Sequence, residues 1–258
     1  MSQLIHPTAY IDPAASLGEE TRVGPFAVIE GDVTVGSNCL IDTHAVIRSY
    51  TTLGERNRVH PHVVLGDLPQ DLGFQAETPS RLVIGDDNVF REGFTAHRSS
   101  REGEATIIGS NGYYMNNSHV AHDCTLGDGI IFANNVLLAG HVAVGDKVFM
   151  GGAAVVHQFC RIGTFAIVQG TTGIGMDVIP YLMIGGSRPA KHYRLNKVAL
   201  RRAGVSGDRY RVLEQAVRLL GQKQSLDKLE ETPEIITLKQ WLREKSKRGI
   251  HGFAKVEK

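Results

Sequence analysis

From Ile5 onward an aliphatic residue returns at every sixth position: Ile5, Ile11, Leu17, Val23, Ile29, Val35, Ile41, Ile47, Leu53, Val59 and Leu65. The step reappears at Ile84 and Phe90, then runs unbroken from Ile108 to Ile174. A period of six fits neither the helical stripe near 3.6 nor the strand alternation of two, so the unit is a short strand plus a turn, repeated. Three units make one triangular coil of eighteen residues, and residues eighteen apart then stack at about one strand spacing, ~4.8 Å. The position after the aliphatic is often Gly or Asp, as in Gly18, Gly24, Gly36, Gly54, Asp12 and Asp42. We read it as the residue that lets the backbone turn. The pattern predicts a mainly β chain, with a parallel β-helix over residues 1-187.

Two polar stretches interrupt the period. DLPQDLGFQAETPSR predicts an inserted loop near 67-82, and SSREGEA a shorter one near 99-105. Loops hung on a rigid scaffold commonly carry binding residues, which makes Gln70 and Asp71 candidates. Beyond Pro180 the hexad gives way to helical signals. Ser206 stands as a cap before Leu213, Val217 and Leu220, which Gly221 ends, and Thr232 with Pro233 opens a second segment carrying Ile235, Leu238 and Leu242. Residues 188-258 are thus expected to form a small C-terminal helical domain that covers the open last coil, whose strand edges would otherwise template aggregation.

Composition narrows the partners. The formal charge of +1 hides an asymmetry, because residues 1–190 hold 11 Lys/Arg against 19 Asp/Glu while residues 191–258 hold 17 against 8. A basic tail suits an acidic partner. No stretch approaches the roughly twenty apolar residues of a membrane span, and the start lacks a signal-peptide pattern. A cytoplasmic protein is expected, with neither nucleic acid nor stable membrane insertion. Cys39, Cys124 and Cys160 all fall four places after the aliphatic position. They read as reduced packing residues, not as disulfide or metal partners.

Stepping by eighteen aligns His122, Gly140 and Gln158 in one column: an imidazole, a residue without a side chain, and an amide. An imidazole titrating near neutrality can remove a proton from an attacking hydroxyl. Asp123 follows it in sequence, and strand neighbours point oppositely, so Asp123 can orient His122 only if the pair sits at a corner of the coil. A second column, Asn134, Gly152 and Gly170, leaves a shallow strip on another face.

The hexad resembles that of the hexapeptide-repeat acyltransferases. Within that superfamily NNSHVAHDC, NNVLLAGHV, AVVHQFCRIG, PQDL, TAHR and LRRAG resemble the acyl-[acyl-carrier-protein]–UDP-N-acetylglucosamine O-acyltransferases, along nearly the whole chain. The resemblance implies a left-handed β-helix and the first step of lipid A synthesis, in which a 3-hydroxyacyl group moves from acyl carrier protein to the 3-position of a UDP-amino sugar. It implies His122 as general base, Asp123 as its orienting acid and Gly140 as oxyanion donor. Gln70, Asp71, His97, His119, His141, Asn196 and Arg202 match positions around the nucleotide sugar. His157 and Gln158 match positions nearer the acyl donor, Gly170 matches the chain-length ruler with Gly152 beneath it, and Arg201 joins the donor side. A homotrimer with sites between subunits is implied, without cofactor or metal.

The chain also departs from the family. Gly73 stands where the loop motif carries a lysine, GGSRPAKHYRLN replaces the usual segment, Val198 replaces an acid and Ala203 the second arginine. These changes fall on the nucleotide side, so a different UDP-amino sugar, including a 3-amino analogue acylated on nitrogen, stays open. So do a metal-dependent β-helix enzyme using histidines at subunit junctions and a catalytically silent scaffold.

Overall fold

The computed structural model describes residues 4–186 and 188–254. Most strands are two residues long, and every third strand pairs in parallel with the one a coil away, as Tyr10–Ile11 does with Val28–Ile29. This gives three sheets, hence three faces of a prism. Face one holds nine strands from Tyr10–Ile11 to Gly173–Ile174, face two eight from Ser16–Leu17 to Arg161–Ile162, and face three ten from Arg22–Val23 to Lys191–Leu195. The chain is a left-handed parallel β-helix. In each strand the second residue points inward: Ile29, Ile41, Ile47, Leu65, Phe132 and Val168 are fully buried. Each such side chain contributes about 1.5–3 kcal/mol. The period of six is therefore the spacing of the core. Ile11 and Leu17 are only partly covered and Ile5 is exposed, since no described coil packs beneath them.

The turning residue is not the one expected. It lies three places after the aliphatic, in left-handed backbone, at residues as different as Asn117 (φ 55°), Asp123 (φ 61°) and Phe159 (φ 65°). The glycines one place after the aliphatic serve another purpose. A Cβ on Gly36 would lie 2.6 Å from the Gly54 carbonyl carbon, and one on Gly109 would lie 2.6 Å from the Gly127 oxygen, so these glycines let successive coils approach. The three cysteines are buried and free, their thiols pushed up chiefly by burial, as packing residues should be.

Both inserted loops leave from one edge of the prism: the first between strands Val64–Asp67 and Arg81–Ile84, the second between Thr95–His97 and Ala105–Ile108. The sheet extends further than the hexad, because Leu182–Gly185 turns back and pairs antiparallel with Lys191–Leu195. Three helices follow: α1 (Lys197–Arg202), α2 (Gly207–Gly221) and α3 (Pro233–Arg243). Thr232 caps α3 by accepting the Ile235 N–H, whereas Ser206 stands at the N-cap of α2 without a side-chain bond. Leu213, Ile235 and Leu238 join Leu182 and Leu195 in a second core at the last coil. The chain then returns to the solenoid, where Asp177 pairs with Ile250 and His192 with Phe253. No helix among the described residues is long and apolar enough to cross a membrane.

Candidate active site

Asp123 occupies a left-handed corner, so its side chain folds back toward its neighbour, and His122 Nδ1 lies 2.6 Å from Asp123 Oδ2. The corner that the pairing requires is present. The His122 ring lies under the next coil: a Cβ on Gly140 would sit 2.7 Å from Cε1 and 2.8 Å from Nε2. Only glycine leaves room for the imidazole there. The column is real, since His141 N–H donates to the His122 carbonyl (3.0 Å) and Phe159 N–H to that of Gly140 (3.2 Å). Gly140 N–H has no acceptor among the described residues and stays available beside the ring. Gln158, one coil further, is exposed.

The Asp123 side chain is fully buried. Ser99 Oγ donates to its Oδ1 (2.5 Å), Ser100 Oγ to its Oδ2 (2.6 Å), and the exposed Arg101 lies 3.5 Å away. Burial alone raises such a carboxyl, but the hydrogen bonds from Ser100, Ser99 and His122, with the field of His141, outweigh it and hold Asp123 well below the usual carboxylate range. The dyad is thus an imidazole beside a secured anion, with Nδ1–H tied to the carboxylate and Nε2 left for a reacting proton. His141 Nε2 stands 3.6 Å from Asp123 Oδ2, and its ring stacks on Phe159 at 4.5 Å. Burial keeps His141 below the ordinary imidazole value despite the carboxylate. His122, Asp123 and His141 offer ligand atoms within 4.8 Å of one another. Both Asp123 oxygens, however, already accept hydroxyl protons, which is the arrangement of a hydrogen-bonded dyad.

Beside the dyad lie His97 and His119, their rings edge to face at 4.8 Å. His119 Nδ1 bonds Thr95 Oγ1 (2.7 Å), while His97 Nδ1 and His119 Nε2 are buried without a partner among the described residues. Burial, with the nearby His97, lowers His119 to about 4, and burial likewise lowers His97. Two neutral imidazoles with unused nitrogens suit a polyhydroxylated ligand that both donates and accepts.

The other predicted positions are placed elsewhere. Gln70 and Asp71 are exposed on the first loop, where Asp71 Oδ1 accepts the Gly73 N–H (2.9 Å). Asn196, expected at the nucleotide sugar, has a structural role in this chain. It is buried at the start of α1, with Oδ1 on the Ala199 N–H and Nδ2 donating to the Phe165 carbonyl, so both ends of the amide anchor the tail. Arg201 and Arg202 are exposed in the last turn of α1. A cavity of about 920 Å³ is bordered by Arg194, Asn196, Lys197 and Arg201 and not by the dyad. His157 borders a cavity of about 570 Å³ with Gly173 and Arg188. Gly170 and Gly152 stack, a Cβ on Gly170 falling 3.1 Å from the Gly152 oxygen, and the Gln169 amide rests against Gly185.

Sequence reasoning missed Ser99, Ser100 and Thr106, whose Oγ1 accepts the Asp123 N–H (2.7 Å). A signal existed. The second loop lengthens its coil, so that Thr95 pairs with His119, twenty-four residues on, and the same step back from Asp123 lands on Ser99.

Comparisons with known proteins agree with this geometry. Residues 177–251 match the family described as UDP-N-acetylglucosamine O-acyltransferase, domain 2. The acyl-[acyl-carrier-protein]–UDP-N-acetylglucosamine O-acyltransferase of Alkalilimnicola ehrlichii is 52% identical over 84% of this chain and 83% of its own, and that of Halorhodospira halophila 46% over the same shares. Among solved structures, the UDP-N-acetylglucosamine acyltransferase of Campylobacter jejuni (33% identity) covers 97% of this chain and 100% of its own, with a TM-score of 0.89. The Francisella novicida enzyme (28% identity) covers 98% and 99%, with a TM-score of 0.90. Identity of this extent, across both the solenoid and the tail, means that the chain belongs to the acyl-[acyl-carrier-protein]–UDP-N-acetylglucosamine O-acyltransferase family.

Proposed function

We propose that this chain transfers a 3-hydroxyacyl group from acyl carrier protein to the 3-hydroxyl of UDP-N-acetylglucosamine, the first step of lipid A synthesis. The observation that carries the reading is the His122–Asp123 dyad beneath Gly140. His122 Nε2 takes the proton of the sugar hydroxyl as its oxygen attacks the thioester carbonyl. The Gly140 N–H faces the developing oxyanion. The attack forms the ester C–O bond; collapse of the tetrahedral intermediate restores the carbonyl and breaks C–S, and the imidazolium gives its proton to the departing thiolate. The unpartnered nitrogens of His97 and His119 support sugar binding beside the base. Gln70, Asp71 and His141 complete the sugar side, and His157 and Gln158 the donor side.

Assembly as a cytoplasmic homotrimer belongs to the same reading. Beyond Arg22 and Arg58, outward positions of face three are largely apolar, including Leu40, Ile131 and Phe149, and face one presents Val64, Leu137 and Val155. Two apolar faces meeting at one edge suit cyclic closure by three copies, which would bring the tail arginines of one subunit to the dyad of the next. Arg194, Lys197, Arg201 and Arg202 offer the carrier protein a basic surface whose affinity falls with salt. The Gly152–Gly170 strip accommodates the acyl chain, favouring about fourteen carbons over about ten at ~0.8 kcal/mol per buried methylene.

Purified protein assayed with acyl carrier protein donors should acylate UDP-N-acetylglucosamine on oxygen. Turnover of the 3-amino analogue alone, giving an amide, would move the substrate to that sugar. Turnover of neither would end the reading.

A further inference from the structure

The second inserted loop contributes to the site in a way that neither the hexad nor the family motifs assign. The Asp123 side chain is buried completely, yet its partners are unusual for a desolvated carboxylate: among the described residues the only permanent cation within 4 Å, Arg101, is more than half exposed at 3.5 Å. Charge compensation comes instead from short, neutral donors on consecutive residues. Ser99 Oγ and Ser100 Oγ take one oxygen each, at 2.5 and 2.6 Å, and the Ser100 N–H lies 3.3 Å from Oδ1. The Ser99 side chain is itself held, because its Oγ also accepts the Arg101 N–H (3.1 Å).

The loop that presents these serines is fastened with equal care. Ser80 Oγ donates to the Ser99 carbonyl (2.5 Å). Arg98, one residue earlier, is buried, and its guanidinium donates to the Thr78 and Ala76 carbonyls (both 2.6 Å) while lying over the Tyr50 and Phe74 rings (4.9 and 5.2 Å). A guanidinium desolvated against carbonyls is costly unless it fixes something. Here it ties the first loop to the root of the second.

We propose that Ser99 and Ser100 are positioning residues that keep Asp123 anionic and aimed at His122 Nδ1, with Arg98 and Ser80 holding their loop in place. The inference rests on His122 being the general base. Without the hydroxyls, burial would be opposed mainly by His122 and His141, and the Asp123 carboxyl would protonate at higher pH, weakening the acceptor of Nδ1–H. The charged and titratable groups facing the pair are His97, His119, His141, Cys124 and Arg101, all unchanged by serine replacement.

The test compares pH profiles of kcat/KM, whose acid limb reports the free enzyme's dyad. Ser99→Ala with Ser100→Ala should lower kcat by about ten- to a hundredfold with KM for the sugar little changed, and raise the acid limb by about one unit or more. Ser100→Ala alone, at a half-buried position, should show the same shift in smaller measure, and serves if the double variant does not fold. Ser100→Thr, which retains the hydroxyl, should restore both rate and limb. An unmoved acid limb overturns the proposal whatever the rate, as does a Ser100→Thr variant no better than alanine. His122→Ala run in parallel separates the two readings. If it stays active the base assignment falls, and if it is inactive while the serine variants keep the wild-type limb, only the clamp falls.

Discussion

Two aspartates, Asp123 at a left-handed corner and Asp177 in a bridge beside the last coil, both have fully buried side chains. Their partners differ in kind. Asp177 faces Arg161, with Nε 2.7 Å from Oδ2 and the Arg161 N–H on Oδ1 (2.9 Å), and that guanidinium lies over Trp241 at 4.3 Å and bonds Glu244. Asp123 faces two serines and a histidine. A guanidinium never gives up its proton at working pH, so the Asp177 pair can only hold parts together, here α3 and the returning chain against the last coil. Hydroxyls and an imidazole secure the Asp123 anion equally well but leave a partner whose other nitrogen can take and release a proton. A buried aspartate thus serves as a fastener at one level and as part of a candidate base at another, by choice of donor.

The sharpest break of that contrast is His122→Ala. Turnover should fall on the order of 10²–10⁴-fold, with the melting temperature little changed, because the ring sits outside the aliphatic core. His44→Ala is the control. His44 is an exposed corner histidine stacked between Phe26 and His62 with no carboxylate in reach, and its loss should leave activity intact. A His122→Ala variant retaining more than about a tenth of the rate would remove the dyad from the chemistry.

Arg161→Met inverts the readout. It strands a buried carboxylate and should cost about 3–5 kcal/mol of stability, seen as a lowered midpoint in urea at fixed protein concentration, while kcat of the folded fraction stays within a few-fold. Equal loss of kcat without loss of stability would mean that the two aspartates are not distinct in role.

The core was legible because one inward position per hexad repeats without exception, and Val23 or Val168 needs nothing but its neighbours to be placed. The dyad was legible because its members are adjacent in sequence. Ser99 and Ser100 were not, since their contact with Asp123 depends on how far a loop lengthens one coil. The structural role of Asn196 was not legible either: the amide that matches a binding position also caps α1 and bonds the Phe165 carbonyl. The glycine after each aliphatic misled, because composition cannot tell a residue that turns the chain from one that lets chains touch.

Acid should act on the levels that hold buried histidines and spare the rest. Burial, with the neighbouring His251, lowers His192 to about 4, and burial lowers His251; His192 Nε2 accepts the Ile179 N–H (3.0 Å) while Nδ1 bonds the His251 carbonyl. Burial, with His97, lowers His119 to the same value. With an unfolded value near 6.5, the unfolded chain binds more protons between about 6.5 and 4. This stabilisation is therefore full above pH ~6.5 and lost as pH falls toward 4, by roughly 3 kcal/mol for each of His192 and His119. Asp123 has the depressed carboxylate case, present above ~3.9 and lost only below it. Amide protection factors across residues 249–252 and at the strand His119–Val120 should fall between pH 7 and 5, while the strand Leu40–Ile41 keeps its protection. Unchanged protection at the first two would contradict the assignment.

The smallest change tests the space above His122. Gly140 and Gly152 both follow the aliphatic by two places, neither has left-handed backbone, and their substitution by alanine adds the same single carbon. At Gly152 that carbon would meet the Asn134 oxygen at 3.4 Å, an ordinary contact. At Gly140 it would lie 2.7 to 3.2 Å from three atoms of the His122 ring, with no backbone in the way. A side chain can yield where a backbone cannot, so the coil should survive Gly140→Ala and the imidazole should tilt. Tilting lengthens the 2.6 Å bond to Asp123 and moves Nε2 from its place beside the Gly140 N–H. A displacement near 1 Å costs about 10²-fold in rate, against little change for Gly152→Ala with the shortest acyl donor. The melting temperature of both variants should stay close to wild type. If Gly140→Ala instead unfolds the protein and leaves the rate of the folded fraction unchanged, the glycine serves coil packing alone and the ring position is set elsewhere.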